Sequence, residues 1–243
     1  MNRCLSYGGG VNSTALALFL ADKGVDFKMV FADTGVELPE TISYMKYFQS
    51  TTGLHVDVVK QEYVNIKNPI DCRKRGLYDY CWHYKMVPLM HRRWCTAKFK
   101  INPIYFYLEK NNIEEQLIGF DAGEAHRAEN KAVHFCEQRY PLIENGINRD
   151  GCVDIIKAHG LAIPQKSGCF ICPFQRKKQW KHLFHKHNDL WNDAVELEQR
   201  AVHSNKNRAT FFSNNITLLD VKKDWALADR QGHFWGDPCL CYE

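Results

Sequence analysis

Ser6-Tyr7-Gly8-Gly9-Gly10-Val11-Asn12-Ser13-Thr14 joins a short apolar run, Arg3 to Tyr7, to a segment of helical character, Asn12 to Lys23. In the second segment Leu16, Phe19 and Leu20 recur at helical spacing among alanines, so the order is strand, tight loop, helix. Phe27 to Ala32 reads as a second buried strand. It is followed by the turn Asp33-Thr34-Gly35 and by a helix opening at Pro39, where a missing amide proton costs nothing. Two strand-helix units in succession predict a parallel sheet.

Leu54 to Val59 continues the pattern as a third strand, and Gln116 to Phe120 as a fourth that ends in Gly119-Phe120-Asp121-Ala122-Gly123. Between them lies a long insert rich in Tyr, Trp, His and Arg. From Gly151 onward the pattern turns helical with cysteine punctuation, and Gln175 to Arg200 reads as a long basic and aromatic helical region. The expected fold class is α/β: an open parallel sheet flanked by helices, with a helical, cysteine-containing C-terminal part. The expected division is a nucleotide-binding α/β domain over 1–150 and a helical, cysteine-rich region over 151–243 packed on it.

The 243 residues are 45% apolar, enough for one substantial core with a small appendage. A formal net charge of +4 is too mild to force a nucleic-acid partner by itself. No run of about eighteen apolar residues occurs, and Met1 leads straight into a strand pattern, so the expectation is a soluble, cytoplasmic protein with no membrane association. Ten cysteines are many where thiols stay reduced, which points to metal, cluster or redox chemistry.

In the opening motif, Gly8, Gly9 and Gly10 let the backbone bend and approach a ligand, and the following helix presents unpaired amides and a positive dipole end. Ser6, Asn12, Ser13 and Thr14 add polar side chains on the same side. The motif lacks the Gly-Lys-Ser/Thr ending of a Walker loop and the spaced glycines of the dinucleotide fingerprint. Asp33 stands at a strand's carboxyl end, where open α/β sheets collect ligands; it reads as a carboxylate for Mg2+ or a ribose hydroxyl, or as a turn cap. Thr34, Gly35 and Gly119 belong to the same two strand ends. Arg127, in Gly119-Phe120-Asp121-Ala122-Gly123-Glu124-Ala125-His126-Arg127-Ala128, has the guanidinium geometry that clamps phosphate or sulfate. Cys169 and Cys172 form a CxxC between Gly168 and Pro173, a spacing that lets two thiolates grip one metal or cluster.

Together these segments resemble the ATP pyrophosphatase and phosphoadenosine phosphosulfate reductase superfamily. The motif Ser6 to Thr14 looks like its pyrophosphate loop. Phe31-Ala32-Asp33-Thr34-Gly35 with Pro39-Glu40-Thr41 resembles its second strand and following helix. Trp94-Cys95-Thr96 with Lys100-Ile101-Asn102-Pro103-Ile104 is similar to its central cysteine and lysine segment, and Gly168 to Pro173 to its later cysteine pair. The resemblance implies ATP or a sulfonucleotide as ligand, with Asp33, Lys100 and Arg127 as catalytic candidates. Val11 and Asn12 stand where many ATP-cleaving members carry Lys or Asp, which leaves Lys98, Lys100, Arg92, Arg93 or Arg127 to neutralise the phosphates. For Cys95, Cys169 and Cys172 it implies a four-iron four-sulfur cluster, completed by Cys239 or Cys241 or left with one open iron. The zinc alternative uses Cys169, Cys172, Cys239 and Cys241.

Three functions remain in competition at this point. In the first, ATP is cleaved between its α and β phosphates to adenylylate an acceptor in sulfur- or nucleic-acid-modification chemistry, tRNA and DNA being candidate acceptors. The second is thiol-dependent reduction of a sulfonucleotide to sulfite, with a thiol reductant or sulfur-donor protein as partner and Cys239 or Cys241 as nucleophile. The third is a nucleotide- or nucleic-acid-binding module without turnover. The interleaved cations and indoles of His91-Arg92-Arg93-Trp94 and Arg176-Lys177-Lys178-Gln179-Trp180-Lys181-His182 suit nucleic acid, and equally suit a basic helix face over buried Trp.

Overall fold

A computed structural model describes residues 1–64, 70–128, 135–204, 210–212 and 215–230. The chain forms two compact units, each assembled from separated segments: Met1–Asp33, Glu37–Lys60 and Phe99–Ser167 in the first, Thr34–Val36, Gln61–Lys98 and Gly168–Glu243 in the second.

In chain order the elements begin with β1 (Arg3–Ser6), α1 (Val11–Asp22), β2 (Lys28–Asp33), α2 (Pro39–Thr52) and β3 (Asp57–Lys60). A short antiparallel pair, β4 (Tyr63–Val64) and β5 (Ile70–Asp71), precedes α3 (Leu77–Tyr84) and the single turn α4 (Trp94–Thr96). A π-helical turn at Ala97–Ile101 runs into α5 (Asn102–Lys110), then β6 (Glu115–Ile118), a 3-10 turn at Ala122–Arg127, β7 (Glu137–Arg139), α6 (Pro141–Glu144) and α7 (Arg149–Ala158). The remainder is α8 (Lys177–Lys186), α9 (Asn188–His203) and α10 (Leu218–Arg230). None of the described helices is long and apolar enough to cross a membrane.

The first unit is the expected α/β layer: five strands in the order β3-β2-β1-β6-β7, every pair parallel. Alternation along each strand divides the core between two faces. Leu5, Met29, Phe31 and Leu117 pack with α1, α2 and α7 residues such as Leu16, Phe48 and Ile156, whereas Cys4 and Val30 pack with Leu108 of α5 and with Ile113. Because α1 is apolar on nearly every side, it is buried along its length. At the open ends of β1, β6 and β7 the buried carboxylate of Glu115 takes Arg3 at 2.5 Å and Arg139 at 3.0 Å, locking three adjacent strands by charge.

This strand order places the chain's reversal between β1 and β6, since β2 and β3 extend the sheet to one side and β6 and β7 to the other. Ligands of open α/β sheets collect at the carboxyl ends of strands at such a switch point. The loops after β1 and β6 therefore define the place to look.

The second unit is mostly helical. Trp180 of α8 and Trp191 of α9 meet edge to face at 6.3 Å, with Phe211 at 5.0 Å from Trp180. The helical region expected from Gln175 to Arg200 consists of two helices, separated at His187, whose φ of −137° and ψ of 64° are not helical.

Glu198 of α9 is 1% exposed, and its two oxygens accept hydrogen bonds from the amides of Phe211 at 3.0 Å and Leu218 at 2.7 Å. Burial pushes its carboxyl up to about 7, against those two amide bonds. In the unfolded chain a glutamate titrates near about 4.3. Between that pH and about 7 the native state holds the extra proton, so the contribution to stability is complete below the lower value and is lost as pH rises through the upper one. We expect the urea midpoint of the protein to fall between pH 5 and pH 8, and Glu198→Gln to flatten that fall. Identical slopes in the two proteins would contradict this assignment.

Candidate functional site

The loop after β1 is shaped by contacts of its own. Tyr7 is 2% exposed, stacks on Phe48 with ring centroids 5.4 Å apart, and shares a hydrogen bond of 3.2 Å with the Thr14 hydroxyl. Burial pushes the Tyr7 phenol up to about 12, so it stays neutral and holds the base of the loop in the core. Thr14 is fully buried by the same contact. The Ser13 hydroxyl accepts from the Gly8 amide at 3.2 Å and donates to the Gly10 carbonyl at 3.1 Å, bracing the loop across its own width.

The three glycines are required for different reasons. Gly9 has φ +68°, and a Cβ there would stand 2.9 Å from Thr41 Cγ2 at the start of α2. A Cβ on Gly10, the residue that caps α1, would stand 3.0 Å from Ser167 Oγ. Gly8 is exposed and meets nothing closer than Ser13 Oγ at 3.9 Å. Packing within the protein therefore does not demand a glycine at this position. Gly10 offers no side-chain cap and the first turn of α1 has no acidic residue, so the positive end of α1 is uncompensated within its own helix.

Beside it the loop after β6 is fixed by carboxylates. Asp121, 6% exposed, accepts from the Gly123 amide and the Asn12 side-chain amide, both at 2.8 Å. Asn12 also donates to Glu124 at 3.0 Å, and its own carbonyl accepts from Arg149 Nη1 at 2.8 Å. An aspartate at position 12 would bring a third carboxylate to Asp121 and Glu124 with no proton to share, which is the physical reason for an amide here.

Arg149 is the residue that sequence reasoning missed. It opens α7, where the helix dipole disfavours a cation. That unfavourable placement was its only trace in the sequence, because its partner lies 137 residues away.

The remaining expected residues of this unit fall as follows. Ser6 accepts from Gln116 at 2.8 Å, and Gln116 from Gln138 at the same distance, a polar ladder across β1, β6 and β7. Gly119 backs directly onto α1: a Cβ there would lie 3.0 Å from Ser13 N and Cα. Arg127 pairs with Glu124 and lies 4.1 Å above the Phe120 ring, which stacks on Tyr140. Asp33 faces Lys60 at 3.8 Å, and Lys100 reaches the buried Glu37 at 3.4 Å.

Thr34 and Gly35 belong to the second unit. The Thr34 carbonyl accepts from Leu77 N at 2.8 Å, and a Cβ on Gly35 would lie 2.6–2.8 Å from the backbone of Arg75 and Gly76, so this glycine is demanded by close backbone contact. Cys169 Sγ is 3.5 Å from Thr34 Oγ1, and the Cys172 amide donates to the Cys169 carbonyl at 3.1 Å, the tight turn the CxxC requires. Cys81 has Cys95 of α4 and Cys72 as neighbours: burial foremost, then those two thiols, push Cys81 well up. Among the described residues Cys95, Cys169 and Cys172 do not form a three-ligand group with all donor atoms within 4.8 Å of one another. Cys239 and Cys241 lie outside the described residues.

The chain matches the phosphoadenosine phosphosulfate reductase domain over residues 2–154. Two relatives come from Methanocaldococcus jannaschii. Uncharacterized protein MJ0973 is 23% identical over 214 residues, covering 80% of this chain and 47% of its own length. Uncharacterized protein MJ0066 is 22% identical over 203 residues, covering 77% and 39%. This chain thus spans less than half the length of either curated relative. Among solved structures, a phosphoadenylyl-sulfate (PAPS) reductase from Candida auris in a phosphate complex is 11% identical, with a TM-score of 0.49 over 68% of this chain and 75% of that one. The domain match covers well over half of the chain, and the chain belongs to the phosphoadenosine phosphosulfate reductase domain family.

Proposed function

We propose that this chain is an enzyme that binds an adenine nucleotide with its phosphates over the first turn of α1 and cleaves ATP between the α and β phosphates. An acceptor oxygen attacks the α-phosphorus, pyrophosphate leaves, and the adenylylated acceptor passes to sulfur- or nucleic-acid-modification chemistry. The observation that carries this reading is the exposed Gly8 beside a helix end with no acidic residue, at the switch point between β1 and β6.

The catalytic demand is positioning and charge stabilisation, since phosphoryl and nucleotidyl transfer need little else from a protein. Arg149, held by the neutral Asn12 side chain, supplies the cation that the loop itself lacks. Lys100 and Arg127 are each engaged by a carboxylate and would exchange it for phosphate oxygens. Asp33 is the carboxylate proposed for Mg2+ or the ribose hydroxyl.

For the cysteines, the CxxC turn fits two positions of a metal site; the proposal completes it with Cys95 and either Cys239, Cys241 or an open iron for a cluster, or with both Cys239 and Cys241 for zinc. Metal analysis of anaerobically prepared protein should find iron with acid-labile sulfide, or one zinc per chain, and Cys169→Ala and Cys172→Ala should each lose it. Wild-type protein with neither metal would reject the site.

Gly8→Val tests the loop. The added Cβ meets only an ordinary contact with Ser13 Oγ at 3.9 Å, so thermal unfolding should match wild type, while ATP affinity measured by calorimetry should drop at least about tenfold because phosphate can no longer reach the backbone. Unchanged affinity would remove the loop from the site. Anaerobic incubation with ATP should release pyrophosphate; sulfite from phosphoadenosine phosphosulfate would establish reduction instead, and binding of ATP without either product would establish a module without turnover.

A further inference from the structure

The mild net charge of the chain conceals a division. The second unit carries 19 Lys and Arg against 12 Asp and Glu, a formal +7, while the first carries 13 against 16, a formal −3, which together give the +4 of the whole. The excess is concentrated on α8, Lys177-Lys178-Gln179-Trp180-Lys181-His182-Leu183-Phe184-His185-Lys186, which has four lysines, two histidines and no acidic residue.

At about 100° per residue, the four lysines and His185 fall within roughly half of the helix circumference. The buried Trp180 and Leu183 occupy the opposite side. A solvated charged helix face ordinarily mixes signs, because opposite charges at i,i+4 stabilise it and like charges do not. Here Lys177 and Lys181 are themselves an i,i+4 pair of like charge. Lys177 and Lys178 stand in the first turn, where the dipole also disfavours them. Lys177 has an ion pair with Asp224 at 3.8 Å, but both side chains are more than half exposed, so it offsets little. Three residues before this helix turn, Phe174 is 48% exposed, with the Arg93 guanidinium 5.5 Å from its ring centroid.

We propose that this unit binds single-stranded nucleic acid, with the α8 lysines on successive phosphates and the Phe174 ring as a platform for an unpaired base. Cations tracking a backbone beside an exposed aromatic face are the two components of single-strand recognition, and a duplex keeps its bases out of reach of such a platform. The inference supplies the acceptor class that the proposed function leaves open. It rests on the charge and aromatic placement of the second unit, so its failure would leave ATP cleavage standing, and failure of ATP cleavage would leave it standing.

The test is fluorescence anisotropy of the full chain with a labelled twenty-nucleotide single strand, over a series of salt concentrations and without ATP. The expected result is binding that weakens linearly in log affinity against log salt. Lys177→Gln/Lys178→Gln/Lys186→Gln should reduce that slope by about 2, at about 0.7 per phosphate contact. Phe174→Ala should weaken binding about fivefold or more with the slope unchanged, since stacking releases no counterions. Both variants alter exposed side chains, and circular dichroism checks that each is folded. No binding by wild-type protein, equal binding of a duplex of the same length, or an unaltered slope in the triple variant would overturn the proposal. So would binding to vesicles rich in anionic phospholipid that the oligonucleotide fails to displace.

Discussion

The end of β6 rests directly against the first turn of α1, so closely that a single methyl group on Gly119 would press on the backbone of Ser13. No side-chain adjustment relieves such a contact, because backbone is on both sides. It fixes the distance between the two loops that diverge at the switch point. Only with that distance set can Asn12 reach Asp121 and Glu124 on one side and Arg149 on the other. The buried α1, the parallel strands beneath it and the charge lock at Glu115 hold the frame in which this contact is possible.

The electrostatics of the site follow from the same arrangement. A phosphate-binding helix end gains from nearby cations and suffers from nearby carboxylates. This chain places two carboxylates beside α1, yet both accept hydrogen bonds from a neutral amide, and one also holds Arg127. Asn12 thereby separates the acidic loop from the helix end while presenting its carbonyl to Arg149. In the proposed function the departure of the loop from the commoner Lys and Asp pattern is thus internally consistent: Arg149 of α7 would supply the cation, and the amide is what the neighbouring carboxylates require.

Much of this fold was legible in the sequence. β1 centres on the buried Cys4 and Leu5 and β2 on the buried run Met29 to Ala32, and the glycines and Pro39 mark their exits. β3 was placed a few residues early, and β7 was not foreseen, because Glu137-Gln138-Arg139 has neither apolar alternation nor length and is held at the sheet edge by tertiary pairing. The break at His187 was hidden by an amphipathic pattern that continues through it. At the site, all the glycines look alike in sequence. Geometry separates Gly35 and Gly119, which are compelled by backbone packing, from Gly8, where a Cβ would meet only an ordinary contact. Arg149 left only its unfavourable place at the start of α7 as a trace.

The claim on which the account turns is that the backbone from Gly8 to Ser13 receives phosphate. The most direct measurement is a titration of isotope-labelled protein with ATP and with pyrophosphate, following the backbone amide resonances by nuclear magnetic resonance. The account predicts that both ligands move the amides of Gly8, Gly9, Gly10, Val11, Asn12 and Ser13 first and farthest, together with the side-chain amide of Asn12. Saturable shifts confined to other segments, with the Gly8 to Ser13 amides unmoved, would contradict it.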